Sequence, residues 1–146
     1  MAGLSPTQRT LKAMREQGRL CEIVERFNRF AGPHGIRQDC FGFLDILCID
    51  PADGIVGIQS AGNSFSQHCR KLLDERNEAV YEWLKHAKCE IWCWRKVKLQ
   101  RGGKAERWQP RIADLLLDGD RIRIVERDKP ADKADWTPRP AMFSFD

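Results

Sequence analysis

The run Phe41-Gly42-Phe43-Leu44-Asp45-Ile46-Leu47-Cys48-Ile49 decides the fold, with Asp50-Pro51-Ala52-Asp53-Gly54 and Ile55-Val56-Gly57-Ile58-Gln59-Ser60-Ala61 behind it. The first segment is almost continuously apolar, the pattern of a strand buried on both faces. The second carries Asp, Pro and Gly where a tight turn needs them. The third is a partner strand, so the three together predict a hairpin. Asp45 does not fit an apolar strand. By period-two alternation it shares a face with Phe43 and Leu47, where an unpaired carboxylate costs on the order of several kcal/mol. It must sit in an ion pair or on a cation. Gln59 shares a face with Ile55, Gly57 and Ala61, and two adjacent strands bring it near Asp45 just before a helix. A carboxylate, an amide oxygen, a backbone carbonyl and waters suit Mg²⁺; the plain alternative for Gln59 is a polar residue ending a strand.

Outward from this hairpin, Ser5-Pro6-Thr7-Gln8 is a capping box with proline at the first helical position, and Gly18 is a natural stop. The spacing of Leu4, Thr7, Leu11 and Met14 predicts a helix over about 6–17. Leu20 to Phe27 reads as a strand, and Asn28 to Asp39, with Gly32-Pro33 and Gly35, as a loop. Ser64-Phe65-Ser66-Gln67 is a second capping box, opening a helix that carries Cys69, Leu72, Leu73, Val80, Trp83 and Leu84 inward and breaks near Asn77. Glu90 to Trp94 is another strand, and Trp108 to Leu117 a further strand or short helix. Residues 1–125 form one domain. Residues 126–146, polar and then rich in proline and aromatics, form an extended tail that docks on its own domain or on a partner. The order α-β-β-β-α-β predicts an α/β fold with a central mixed β-sheet flanked by helices.

Composition narrows the function. The chain has 146 residues, 42% hydrophobic and 32% charged, enough for one domain with a real core. No run approaches a membrane span, and the N-terminus shows no secretory signal. The six cysteines therefore read as reduced thiols in a cytoplasmic protein. His86, Cys89 and Cys93 lie close in sequence, but without a CxxC pair they do not point to zinc. The net charge is +4, with a concentration of Arg95, Lys96, Lys98, Arg101, Lys104 and Arg107 against Glu106 alone. Such a loop either tracks phosphates or is a solvated hairpin tip. Among five tryptophans, Trp83, Trp92 or Trp94, and Trp108 fit core positions. One exposed beside the basic loop would instead stack on unpaired bases.

On these residues, from about Leu4 to Trp94, the chain resembles the PD-(D/E)XK nuclease superfamily, and within it the small Holliday-junction-resolvase-like and phage-encoded nucleases. The resemblance implies a restriction-endonuclease-like core, with Asp45 as the metal-binding acid and Gln59-Ser60-Ala61 as the (D/E)-X-K triplet. Two positions depart from the pattern. Gln59 replaces the acid but keeps an oxygen; Ala61 replaces the lysine that steadies the attacking water and the phosphorane charge. Lys71 is the candidate for a migrated lysine, since Ser64, His68 and Lys71 share one broad helical face; otherwise it is an ordinary surface lysine beside Arg70. For the third ligand Glu25 ranks above Glu22 and Asp39, while Glu16 lies at the wrong end of its helix. The implied activity is Mg²⁺- or Mn²⁺-dependent hydrolysis of DNA phosphodiesters, on branched or flapped substrates, by a homodimer in the cytoplasm, a bacterial host's if the gene is phage-borne. Arg37, Ser64, His68, Arg70, Arg95, Lys96, Lys98, Arg101 and Lys104 would contact DNA. His68 would shuttle protons or meet phosphate, although a lone histidine is more often neither. The competing reading is a lapsed nuclease fold that binds DNA or a protein without cutting.

Overall fold

Ser5 caps the first helix as its sequence predicts: its hydroxyl accepts from the Gln8 amide while the Gln8 side chain accepts from the Ser5 amide. The structure, a computed structural model, describes residues 3–136. Helix α1 (Pro6–Glu16) ends at Gly18, whose φ of 86° is the left-handed conformation that closes a helix.

Six strands form one mixed sheet in the order β1-β4-β5-β6-β7-β8: β1 (Leu20–Ile23), β4 (Ile46–Asp50), β5 (Gly54–Ala61), β6 (Lys88–Lys98), β7 (Glu106–Asp118) and β8 (Arg121–Glu126). Only the β5–β6 pair is parallel, because the helical crossover between these strands returns the chain to the same end. Helix α1 covers one face, where Met14 meets Ile46, Cys48, Ile58 and Trp92. The other face is covered by α2 (Phe65–Arg70), a π-helical stretch (Lys71–Glu75) and α3 (Asn77–Leu84), packed on Leu44, Ala61, Ile91 and Ile124. The break expected near Asn77 falls at Arg76, with φ −112° and ψ 15°. The four-residue helix α4 (Ala131–Ala134) follows β8.

The structure corrects several expectations. The apolar run is not one two-faced strand. Phe41 to Leu44 form a turn with Phe41 and Gly42 both at positive φ, and β4 starts only at Ile46. Along β4 burial alternates, leaving Leu47 and Ile49 partly exposed. The strand expected over Leu20–Phe27 divides into β1 and β2 (Arg26–Asn28). Inside the expected loop, β3 (Ile36–Gln38) pairs with β2 as a small separate hairpin. Ser64 makes no side-chain capping bond. Trp92 and Trp94 are both buried, whereas Trp108 is 43% exposed. Trp108 to Leu117 is strand throughout, and β8 beyond it was not anticipated.

Four of the six cations of the basic segment, Arg95, Lys96, Lys98 and Arg107, stand on strands, and only Arg101 and Lys104 are in the connecting loop. β5 pairs with β6 only as far as Ala61 beside Cys93, while β6 and β7 stay paired out to Lys98 and Glu106. At about 3.3 Å per residue, a two-stranded arm of roughly 15 Å overhangs the end of the sheet at which β5 finishes and β4 begins. At the other end of the chain, Arg127 and Trp136 pack on the sheet domain, Trp136 edge-on to Phe65. Thr137 to Asp146, the rest of the expected tail, lies outside the described residues.

Candidate metal centre and nucleic-acid interface

The turn between Asp39 and Asp45 builds the site. Cys40 and Leu44 form an isolated antiparallel bridge, which brings the residues flanking them, Asp39 and Asp45, together. Gly42 is held inside the turn by the hydrogen bond that its N–H donates to the Asp39 carbonyl, and a Cβ there would strike the Arg76 side chain. The Asp45 amide donates to the carbonyl of Ile58, the residue that Ile46 already faces. This is the pattern of a β-bulge, which sets one residue out of the ladder and re-aims its side chain. Asp45 is thereby the residue immediately before β4, not one within it.

Asp45 is 5% exposed. Its Oδ2 accepts from the Ser60 amide at 2.8 Å, so it sits against the end of β5, beside Gln59. Its other neighbours are acids. Carboxylate oxygens of Glu25, Asp39 and Asp45 all lie within 4.8 Å of one another. Burial is the main influence on Asp45; a hydrogen bond to Asp39 and the charges of Asp39 and Glu25 add to it, and the Ser60 amide opposes it. The result is a pKa raised from an ordinary 3.8 to about 8. No arginine or lysine is paired with Asp45 among the described residues.

Gln59 is 1% exposed, and neither its Oε1 nor its Nε2 has a hydrogen-bond partner among the described residues. Its parity with Gly57 and Ala61 puts it on the sheet face under α2, the face that also receives Leu44. A buried amide with both ends unpaired is rare and calls for an explanation. Gln59 precedes Ser60, whose amide donates to Asp45.

The cations stand around the acids. Lys71 Nζ is 3.6 Å from Asp39 Oδ2, and Arg37 bonds Glu25 at 3.2 Å. Lys71, Arg26, Arg37 and Arg76 line a cleft of about 580 Å³ that Asp39 also faces. Arg26 and Arg76 were not singled out in the sequence; their only signal is that each is a cation flanking an acid-bearing element. His68 lies within electrostatic reach of Lys71 and Asp39. Burial and the Lys71 charge lower its pKa against the pull of Asp39, so its imidazole is uncharged at neutral pH. Its Nδ1 is buried with no partner among the described residues.

The expected residues thus fall into two groups. Glu25, Asp45, His68, Lys71 and Arg37 gather round the acids, Asp39 joins Glu25 as a neighbour of Asp45, and Gln59 is tied to them only through the next residue, Ser60, whose amide bonds Asp45. Glu22 does not belong to the acidic cluster: it lies out on β1, opposite Leu47. Ser64 and Arg95 line a separate cavity of about 360 Å³ with Arg111, beyond the end of β5. Lys96, Lys98, Arg101 and Lys104 are exposed along the overhanging arm, and Arg70 is exposed on α2.

Two other buried acids, Glu90 and Glu126, were not singled out in the sequence. Glu90 is 2% exposed and takes a two-pronged bond from Arg19 at 2.8 and 2.9 Å, with further bonds from Arg127 at 2.8 Å and Trp92 Nε1 at 2.9 Å. Burial, the largest influence, works to raise its pKa, yet these donors together hold it below the usual carboxylate range. No local pattern announces this network, since Arg19 and Glu90 are 71 residues apart.

No helix among the described residues is long and apolar enough to cross a membrane. Comparisons with family models, with curated proteins and with solved structures returned no match.

Proposed function

We propose that the protein is a divalent-metal-dependent phosphodiesterase of the PD-(D/E)XK type acting on DNA, with Asp45, Glu25, Asp39 and Gln59 as the ion's ligand set. The observation that carries this reading is Asp45: a buried carboxylate with acids for neighbours, next to a buried amide with no partner. Such a group is costly as it stands and is relieved by a hard cation that prefers oxygen ligands. A core order of α1, β1, β4, β5, helical crossover and β6 agrees with the fold that the resemblance implies, with β2–β3 as an insertion and β7–β8 as an extension.

A divalent ion held there would polarise a phosphate and acidify its own water. The chain's own residues supply the rest. Asp45 would have to be ionised to serve as a ligand. Lys71, anchored by Asp39, holds a positive charge beside the acids and would take over the role of the absent triplet lysine. Ala61 cannot do this, being buried among core side chains. Arg26, Arg37 and Arg76 hold phosphates along the cleft, a contact indifferent to sequence.

Incubation of branched, flapped and linear DNA with Mg²⁺ or Mn²⁺ tests the reading. Wild type should cut, Asp45→Ala should not, and Lys71→Ala should be slower by about 10²-fold. Cleavage that survives Asp45→Ala ends the enzyme reading; cleavage unchanged in Lys71→Ala removes that lysine from the mechanism.

The buried Ala61 favours the second reading, a nuclease fold that binds DNA without cutting it. Tight, salt-sensitive binding with no cleavage in either metal would establish it.

A further inference from the structure

The arm at the end of the sheet carries an aromatic surface that the nuclease reading does not use. Trp108, opposite Lys96 in the β6–β7 ladder, is 43% exposed, although the indoles of Trp92 and Trp94 on the same face are buried. Two cations lie over its ring: Arg9 at 4.2 Å and Lys96 at 5.2 Å from the ring centre. Arg9 is itself fixed by a bond to the Leu4 carbonyl at 3.1 Å. These residues line a cavity of about 450 Å³ whose floor is apolar, with Leu4, Pro6 and Trp94 beneath the cations.

This cavity does not end on one face. Arg95 and Asn63 border it and also border the 360 Å³ cavity beside α2. There Arg111 lies over Phe65 at 3.9 Å, bonds Glu126 with one terminal nitrogen, and keeps a buried Nε with no partner among the described residues. The two cavities adjoin at Asn63 and Arg95, beyond the end of β5, and together form a track with an aromatic, apolar section on one side and a guanidinium-lined section on the other.

Charge and shape together select the occupant. Duplex DNA presents phosphates outside and keeps its base faces stacked, so cations alone serve it. An exposed indole over an apolar floor has something to hold only when a base face is free. We propose that this track binds an unpaired DNA strand, one base stacking at Trp108 and the flanking phosphates resting on Arg95 and Arg111. The substrate class is then DNA with a single-stranded flap or tail. That the strand leads to the acids rests on the nuclease reading; that it binds here does not.

The test is fluorescence anisotropy of a labelled oligothymidine strand and a labelled blunt duplex of equal length, without divalent ions and at several salt concentrations. Wild type should prefer the strand. Trp108→Ala should weaken strand binding about tenfold and leave duplex binding unchanged, while Trp108→Phe should retain most of the affinity. Arg95→Ala should flatten the dependence of strand binding on log salt by roughly 0.7. Asp45→Asn should bind the strand like wild type. Equal affinity of Trp108→Ala and wild type for the strand overturns the proposal, as does an equal loss for strand and duplex. If strand binding behaves as expected while no metal supports cleavage, the nuclease reading alone fails. If Asp45-dependent cleavage persists while Trp108→Ala binds the strand normally, this inference alone fails.

Discussion

Of the three buried carboxylates, Asp45, Glu90 and Glu126, the first two have opposite fates. Glu90, on β6, has Arg19, Arg127 and Trp92 donating to it, and its pKa is held low. Asp45, just before β4, has one backbone donor and two acids beside it, and its pKa rises to about 8. Burial is shared; what differs is the sign of the neighbours. A fully partnered buried acid is fixed as a structural anchor. One surrounded by like charge is unfinished, and a metal or a proton completes it.

The largest expected effect breaks the anchored side. Glu90→Ala leaves the Arg19 guanidinium, whose side chain is 5% exposed, without its two-pronged partner. It should cost about 3–5 kcal/mol in urea unfolding. A loss below about 1 kcal/mol would mean that the network is ornamental and that the contrast with Asp45 is empty.

On the unfinished side the sign reverses. The folded chain keeps the Asp45 proton up to about pH 8, whereas the unfolded chain releases it near 3.8. This group therefore favours the fold fully below pH 3.8, and that contribution is lost as pH rises through about 8. Asparagine cannot ionise, so Asp45→Asn should be more stable than wild type without metal, the gap opening between pH 4 and pH 8 to on the order of 2–4 kcal/mol. Thermal unfolding across that range checks it. A mutant less stable than wild type at pH 8 would show that the carboxylate is structurally satisfied after all.

A smaller change sharpens the same contrast. Gln59→Leu removes a buried amide with no partner, so metal-free stability should hold or rise by about 1 kcal/mol, while metal binding weakens. A clear loss of metal-free stability would mean that the amide is satisfied within the protein.

Much of this was legible in the sequence because it depends on neighbours along the chain. The Ser5–Gln8 cap, the Asp50–Gly54 turn, the β4–β5 hairpin and the misfit of Asp45 among apolar residues all rest on local spacing. The turn that brings Asp39 against Asp45 was hidden because Phe41 adopts a left-handed φ, which its residue type does not advertise. An apolar run reads the same whether it continues a strand or folds back before one. The Glu90 network escaped because its partners are distant in sequence, and α2 was given a cap that Ser64 does not make because a motif fixes residue types, not geometry. Trp108 reads as a core residue in the sequence, yet its register opposite Lys96 at the end of an overhanging arm leaves part of the ring exposed.

The most direct measurement is calorimetric titration of the protein with Mn²⁺ near neutral pH, in two buffers of different ionisation enthalpy. If Asp45 is the protonated acid of a divalent-ion site, binding should release close to one proton per ion, and Asp45→Asn should lose both the release and most of the affinity. Binding with no proton release, or binding unchanged in Asp45→Asn, would contradict a metal centre built on this residue.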